Sequence, residues 1–233
     1  MHKDPEVRVK SIRFDRVTMT EASAIVMAFA TQRFHPKYVC FANIQRIAQA
    51  CTDVDTAKAF EEADLVLGET LPVKWLARLA GHPIPQTIPK RDLIRRIGLI
   101  SMKSNCRVFL LGGSPETVCR AGDEMERACP GATVVGRYSP SGGAEMDREE
   151  CMRTRAVVRS SSPDIVVVAF SSTMQERWIR DNLFEINAPV IVGMGDVFAA
   201  SSLTGRIKDF LNGIPTFVKA ALTVSYDRLV ALF

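Results

Sequence analysis

Short uninterrupted apolar runs recur along the chain, separated by longer stretches in which apolar positions return every three or four residues. The runs are Lys37–Asn43 (KYVCFAN), Ala63–Leu67 (ADLVL), Cys106–Leu111 (CRVFLL), Thr133–Tyr138 (TVVGRY), Asp164–Phe170 and Val190–Val192. A continuous run of this length is what a parallel strand covered on both faces requires. The stretches between them predict helices at Ala22–Gln32, Ile44–Cys51, Val54–Glu62, from Pro72, at Arg91–Met102, from Pro115 and at Arg148–Ser160. Thr18-Met-Thr-Glu21 is a capping-box pattern, and Pro115 with Glu116 marks a helix start. Val118, Ala121, Met125 and Ala128 form the expected apolar stripe of the helix from Pro115. Residues 1–10 are charged and predict a frayed terminus, followed by a short edge strand within Ser11–Arg16.

Strands alternating with helices predict a parallel or mostly parallel sheet with helices on both faces. Residues 1–212 read as one α/β domain, with a candidate internal boundary in the proline-rich connector at residues 82–90. Residues 213–233 read as a C-terminal helical segment. Its Phe217, Leu222, Tyr226, Leu229 and Phe233, with Lys219 and Arg228, suit either an interfacial helix or one packed on the domain or between protomers.

Composition narrows the class. The 233 residues are 47% hydrophobic and 24% charged, with a net charge of +4. That balance is too weak to point to nucleic acid, and it suits an anionic small ligand or an anionic membrane surface equally. Six scattered cysteines without a CxxC pair, and a polar N-terminus without a leader pattern, predict a reducing cytoplasm. His2, His35 and His82 lack metal-ligand spacing, and no apolar run approaches the ~20 residues of a membrane span.

Candidate chemistry gathers just beyond the predicted strands, at Asn43, Glu69, Gly112, Tyr138, Ser171 and Gly195. In a parallel sheet these positions converge on one edge, where α/β proteins bind ligands. Each has a plainer alternative. Gly112-Gly113 is either a phosphate-approach loop or a tight turn. Glu69 is a general base or a solvated loop acid, and Asn43 a ligand amide or a helix cap. Tyr138 either stacks on a base or lies at a rim. Glu176 suits a helix start anyway, whereas Gln175 has no such reason to be there; Trp178 reads as core, and Asp196 as a cap. No GxGxxG follows a strand, which argues against a nicotinamide enzyme.

The order of these motifs resembles the WecG/TagA/CpsF family of glycosyltransferases from about Phe14 to Asp209. The segments carrying the resemblance are Ala63–Gly81, Val108–Glu116, Pro130–Tyr138 and Pro163–Ile179, with Asn43 and Asp92 matching two further motif positions. The resemblance implies a Rossmann-like fold and an inverting, metal-independent reaction with no cofactor. A sugar, often N-acetylmannosamine or its uronic acid, would pass from a UDP-sugar donor to a polyprenol-diphosphate-linked acceptor in cell-envelope or exopolysaccharide synthesis. It implies residence at the cytoplasmic face of the membrane, docked through the C-terminal segment; it leaves a homo-oligomer open. Carried over by position, Glu69 becomes the catalytic base and Asn43 a sugar-holding residue. Gly112, Gly113, Gly136, Tyr138, Gln175, Glu176 and Gly195 line the nucleotide-sugar site, and Arg206 and Lys208 are basic candidates for the diphosphate. The chain departs from the family pattern at Phe41-Ala42-Asn43 for Thr-Pro-Asn, at Glu69-Thr70 for Asp-Gly and at Thr173-Met174-Gln175-Glu176 for Pro-Lys-Gln-Glu. It departs again at Asp196 and Ala199, which replace a Gly and an Asp. These changes keep a second reading open, a non-catalytic nucleotide-sugar-binding or assembly subunit of the same fold.

Overall fold

The computed structural model describes residues 7–9, 12–32, 35–79, 81, 83–170 and 175–198. In chain order the elements are β1 (Val7–Val9), β2 (Ile12–Phe14), α1 (Met19–Thr31), β3 (Lys37–Ala42), α2 (Ile44–Ala50), α3 (Val54–Glu62), β4 (Leu65–Gly68) and α4 (Leu71–Leu79). They continue with α5 (Lys90–Ser104), β5 (Arg107–Gly112), α6 (Pro115–Ala128), β6 (Thr133–Tyr138), α7 (Arg148–Ser160), β7 (Ile165–Ala169), α8 (Gln175–Asn182) and β8 (Val190–Gly193). Six strands form one sheet in the order β4-β3-β8-β7-β5-β6, and each pairing is parallel. This is the predicted α/β, Rossmann-like arrangement.

The apolar runs divide residue by residue between two cores, because successive side chains of a strand point to opposite faces. Tyr38, Cys40, Val66, Phe109, Leu111, Val166, Val168 and Ile191 pack with Ile47, Phe60, Val73, Val158 and Trp178, from α2, α3, α4, α7 and α8. Val39, Phe41, Leu67, Val108, Leu110, Val167 and Val192 pack with Ala22, Val26, Leu93, Ile97, Val118 and Met125, from α1, α5 and α6. The connector at 83–89 joins both: Ile84 is buried in the first core and Ile88 in the second, and the Ile88 N–H donates to Gly68 O at 2.8 Å. Strands before and after it share the one sheet.

The helix starts carry the expected caps. The Thr18 side chain accepts from Glu21 N, and the Glu21 carboxylate accepts from Thr18 N, at 3.3 and 2.7 Å. The amino ends of the strands are secured by acids. Asp64 accepts from Tyr38 N and donates its own N–H to Tyr38 O, at 2.9 and 2.8 Å. Asp164 makes the same reciprocal pair with Arg107, again at 2.9 and 2.8 Å.

Three expectations need correction. Residues 7–9 are not frayed: β1 pairs antiparallel with β2, whose Ile12 and Phe14 are buried. The expected edge strand is β2, yet it pairs with β1 rather than with the main sheet. Asp15, just after it, bonds to the main sheet, donating to Val66 O at 3.0 Å and accepting from Val66 N at 2.7 Å. The stripe on α6 uses Val118, Ala121 and Met125, with Gly122 buried beside them, while Ala128 is exposed, because the helix ends there and Cys129 turns inward instead.

Gly136 lies inside β6, where the register shifts, and a Cβ there would sit 2.3 Å from the Phe109 ring. Gly136→Val should therefore lower stability by about 1–3 kcal/mol, seen as a reduced urea midpoint at unchanged m-value. The Thr18 N–H and hydroxyl hold the Glu21 carboxyl below its ordinary pKa. A depressed folded-state pKa stabilises above the unfolded value, and that contribution is lost as pH falls through the folded one. The stability gap between wild type and Glu21→Ala should be widest near neutrality and narrow on acidification, measured by urea unfolding across that range.

Candidate functional site

The carboxyl ends of all six strands open on one edge. The connection after β5 runs outward through α6 to β6, and the connection after β7 runs the opposite way through α8 to β8. Adjacent strands whose connections part in this way leave a crevice, the usual ligand position in such sheets. Gly112 and Gly113 line it, with φ of 110° and 67°. A Cβ on Gly112 would lie 2.5 Å from Ala169 O, and Gly113 N donates to that same oxygen at 2.9 Å. The pair is thus a turn that only glycine fills without strain. Ser114 follows as the N-cap of α6, its side chain accepting from Thr117 N.

Two and three strands away from β7, at the ends of β3 and β4, a second group of polar side chains meets. The Glu69 backbone continues the β3–β4 pairing by donating to Ala42 O at 3.0 Å. Asn43 Nδ2 donates to Glu69 Oε2 at 3.3 Å, while Asn43 Oδ1 accepts from Arg46 N and caps α2. Asn43 is therefore a cap and a carboxylate partner at once. Lys90 Nζ lies 3.1 Å from Glu69 Oε2 and 5.9 Å from the centroid of the Phe41 ring. Both donors take Oε2, and among the described residues Oε1 has no donor. Lys90 also adjoins Gly195, whose Cβ, if present, would stand 3.6 Å from the ammonium.

Gln175 ties the loops after β7 and β8 together. Its buried Oε1 accepts from Phe170 N at 3.2 Å and from Gly195 N at 2.8 Å, and its Nε2 donates to Glu176 Oε1 at 3.3 Å. Glu176 forms a buried ion pair with Arg46, joining α8 to α2. Asn43, Glu69, Lys90, Gly195, Gln175, Glu176 and Arg46 are consequently one network over the ends of β4, β3, β8 and β7. Below it Tyr38 is fully buried, and burial first, then the neighbouring Cys40 and Glu176, drives its pKa upward.

The other sequence-predicted residues lie apart. Gly112 is four inter-strand steps from β4, about 19 Å, and Tyr138 five steps, about 24 Å. The Tyr138 hydroxyl donates to Glu150 Oε1 at 2.7 Å, and this bond, more than burial, raises its pKa. Gly136 packs on Phe109 inside its strand. Asp92 is exposed on a groove of about 570 Å³ between α5 and α6, lined also by Arg91, Arg95, Arg120 and Phe198. Ser171, Thr173, Arg206, Lys208 and the segment 213–233 lie outside the described residues. Among the described residues, no three His, Cys, Asp or Glu side chains gather as a metal would require, and no helix is long and apolar enough to cross a membrane.

Lys90 is the residue that sequence reasoning missed. Its signal was local: a lysine at the first helical position, where the helix dipole disfavours a cation, needs another reason to be there. Glu69 supplies it.

The chain matches the profile of the Glycosyl transferase WecG/TagA/CpsF family over residues 7–210. It is similar to the N-acetylglucosaminyldiphosphoundecaprenol N-acetyl-beta-D-mannosaminyltransferase of Bacillus spizizenii strain W23, with 27% identity over 146 residues, 63% of this chain and 54% of that protein. The protein of the same description from Bacillus subtilis strain 168 is 23% identical over 159 residues, 68% of this chain and 59% of its own length. The chain thus spans little more than half the length of the curated relatives it matches.

Replacing Gln175 by methionine keeps the volume but strips the Phe170 and Gly195 N–H groups of their acceptor. The expected loss is about 2–4 kcal/mol in urea unfolding, since each orphaned buried donor costs roughly 1–3 kcal/mol.

Proposed function

The chain belongs to the WecG/TagA/CpsF glycosyltransferase family, and we propose that it transfers a hexose of the N-acetylmannosamine type from a UDP-sugar to a polyprenol-diphosphate-linked sugar at the inner face of the cell membrane. The observation that carries this reading is the carboxylate at the end of β4, braced through one oxygen by Asn43 and Lys90 at the ligand-binding edge of the sheet. The activity of the two Bacillus relatives, N-acetylmannosaminyl transfer to N-acetylglucosaminyldiphosphoundecaprenol, supports the sugar and the acceptor class.

In the proposed reaction Glu69 Oε1 takes the proton of the acceptor hydroxyl as that oxygen bonds to the anomeric carbon. The bond from the anomeric carbon to the UDP phosphate oxygen breaks, and its electron pair leaves on UDP. One displacement at the anomeric carbon inverts its configuration. Asn43 and Lys90 keep Oε2 occupied, which orients the carboxylate so that Oε1 faces the acceptor. Lys90 has a second task. The family pattern carries a lysine where this chain has Met174, and the ammonium of Lys90, beside Gly195, supplies positive charge for the departing diphosphate. Gly112 and Gly113 let the chain approach the nucleotide at the β5–β7 crevice.

Glu69→Gln should reduce transfer from UDP-N-acetylmannosamine to a lipid-diphosphate-linked N-acetylglucosamine by roughly 10²–10⁴-fold, with UDP affinity and urea midpoint near wild type. Normal turnover by that variant would remove Glu69 from the mechanism. Titration calorimetry should show saturable UDP binding, weakened roughly 10- to 100-fold in Lys90→Met. UDP binding without turnover across a donor panel would instead favour the non-catalytic nucleotide-sugar-binding subunit, and binding of neither UDP nor any UDP-sugar the assembly subunit.

A further inference from the structure

The helix that follows Glu69 is apolar on two sides. Val73 and Ala77 of α4 are buried, and Leu76 packs against the same core. On the outer side Leu71, Trp75 and Leu79 are 58%, 60% and 66% exposed. They are four residues apart, so they form one continuous stripe along the helix. A surface helix ordinarily places charged residues there. Here the only charged residues are Lys74 and Arg78, and the nine-residue helix contains no acid.

We propose that this face of α4 docks on an anionic lipid bilayer. Leu71, Trp75 and Leu79 enter the boundary between headgroups and acyl chains, and Lys74 and Arg78 face the anionic headgroups. Lys74 Nζ donates to Pro85 O at 2.9 Å, which anchors the side chain and leaves its charge in place. Charge decides between a bilayer and a second copy of this chain. A two-fold contact through the stripe would set the cations of one α4 against those of the other, with no acid on either helix to offset them, whereas an anionic headgroup layer complements both. Tryptophan beside a cation is also the composition that settles at a membrane interface.

Docking gives the site a geometry. The stripe begins two residues after Glu69, so the carboxylate is held near the lipid surface, where the hydroxyl of a lipid-linked acceptor lies. That use rests on the proposed function; the docking itself does not.

The chain has two tryptophans, Trp75 exposed and Trp178 5% exposed, which makes the contact directly readable. The full chain is mixed with phosphatidylglycerol vesicles carrying brominated acyl chains, without nucleotide or acceptor, and with phosphatidylcholine vesicles of the same kind. Binding to the anionic vesicles with quenching of tryptophan emission is expected. The quenching should be absent in Trp75→Phe, and the double variant Leu71→Ser with Leu79→Ser should partition roughly tenfold less. Binding without quenching would place the anchor elsewhere and overturn the proposal, as would no binding. A dimer in sedimentation that the double variant dissociates would also overturn it, by assigning the stripe to a second copy. Because the vesicles hold no substrate, none of these outcomes depends on whether the chain binds UDP.

Discussion

Six strands running the same way impose the conditions that the rest of the molecule meets. Each parallel neighbour must be reached by a crossover, so helices accumulate on both faces and the strands between them must be apolar throughout. The same direction also makes the two ends of the sheet chemically different. At the amino end, Asp64 and Asp164 close the ladder with reciprocal bonds to Tyr38 and Arg107. At the carboxyl end the chain must leave every strand and turn, and here the positive-φ glycines and the buried carboxamide of Gln175 do the closing. One end is locked by short acids, while the other is held by a few side chains that leave room between them.

That arrangement explains why buried polar groups are tolerated near Glu69. Gln175 lies in the interior, where an unpaired amide is costly, but both of its ends are used. The Arg46–Glu176 pair is buried and weak as a source of stability, since desolvation offsets most of the attraction. Its effect is positional. It fixes the start of α8 against α2, and the cap of α2 is Asn43, which holds Glu69. The carboxylate is thus placed by elements from four strand ends, the support a reacting group needs to keep its geometry.

Most elements were legible because their signals are local. The spans of α3, β6 and α7 follow the periodicity to the residue, and the Thr18 box appears as written. What escaped depends on partners distant in the chain. The β1 strand looks like a charged tail until Ile12 and Phe14 are seen to be buried. Strand order cannot be read from periodicity, so the sequence placed Tyr138 and Glu69 at one edge without showing that the width of the sheet separates them. Lys90 meets Glu69 only because Ile84 and Ile88 fold the connector onto the two cores and the Ile88 N–H binds Gly68 O. Gly136 was legible as a motif glycine, but its closest constraint is the Phe109 ring on the neighbouring strand.

The place of β4 in the sheet bears on how the proposed substrates meet. It ends the sheet order, and its outer backbone is satisfied by Asp15 rather than by another strand, so Glu69 lies at a rim. The β5–β7 crevice is nearer the other edge. In the proposed reaction the uridine lies there, and the ribose and diphosphate extend over β7, β8 and β3, so that the phosphate-bound anomeric carbon meets the carboxylate beside Lys90. An acceptor whose hydroxyl meets Glu69 then enters from the rim, on the side where α4 begins. A base on a central strand would oblige a lipid-linked substrate to reach across the donor. A base on the rim, next to a helix with an apolar outer stripe, lets the lipid stay in the bilayer while only its headgroup enters the site.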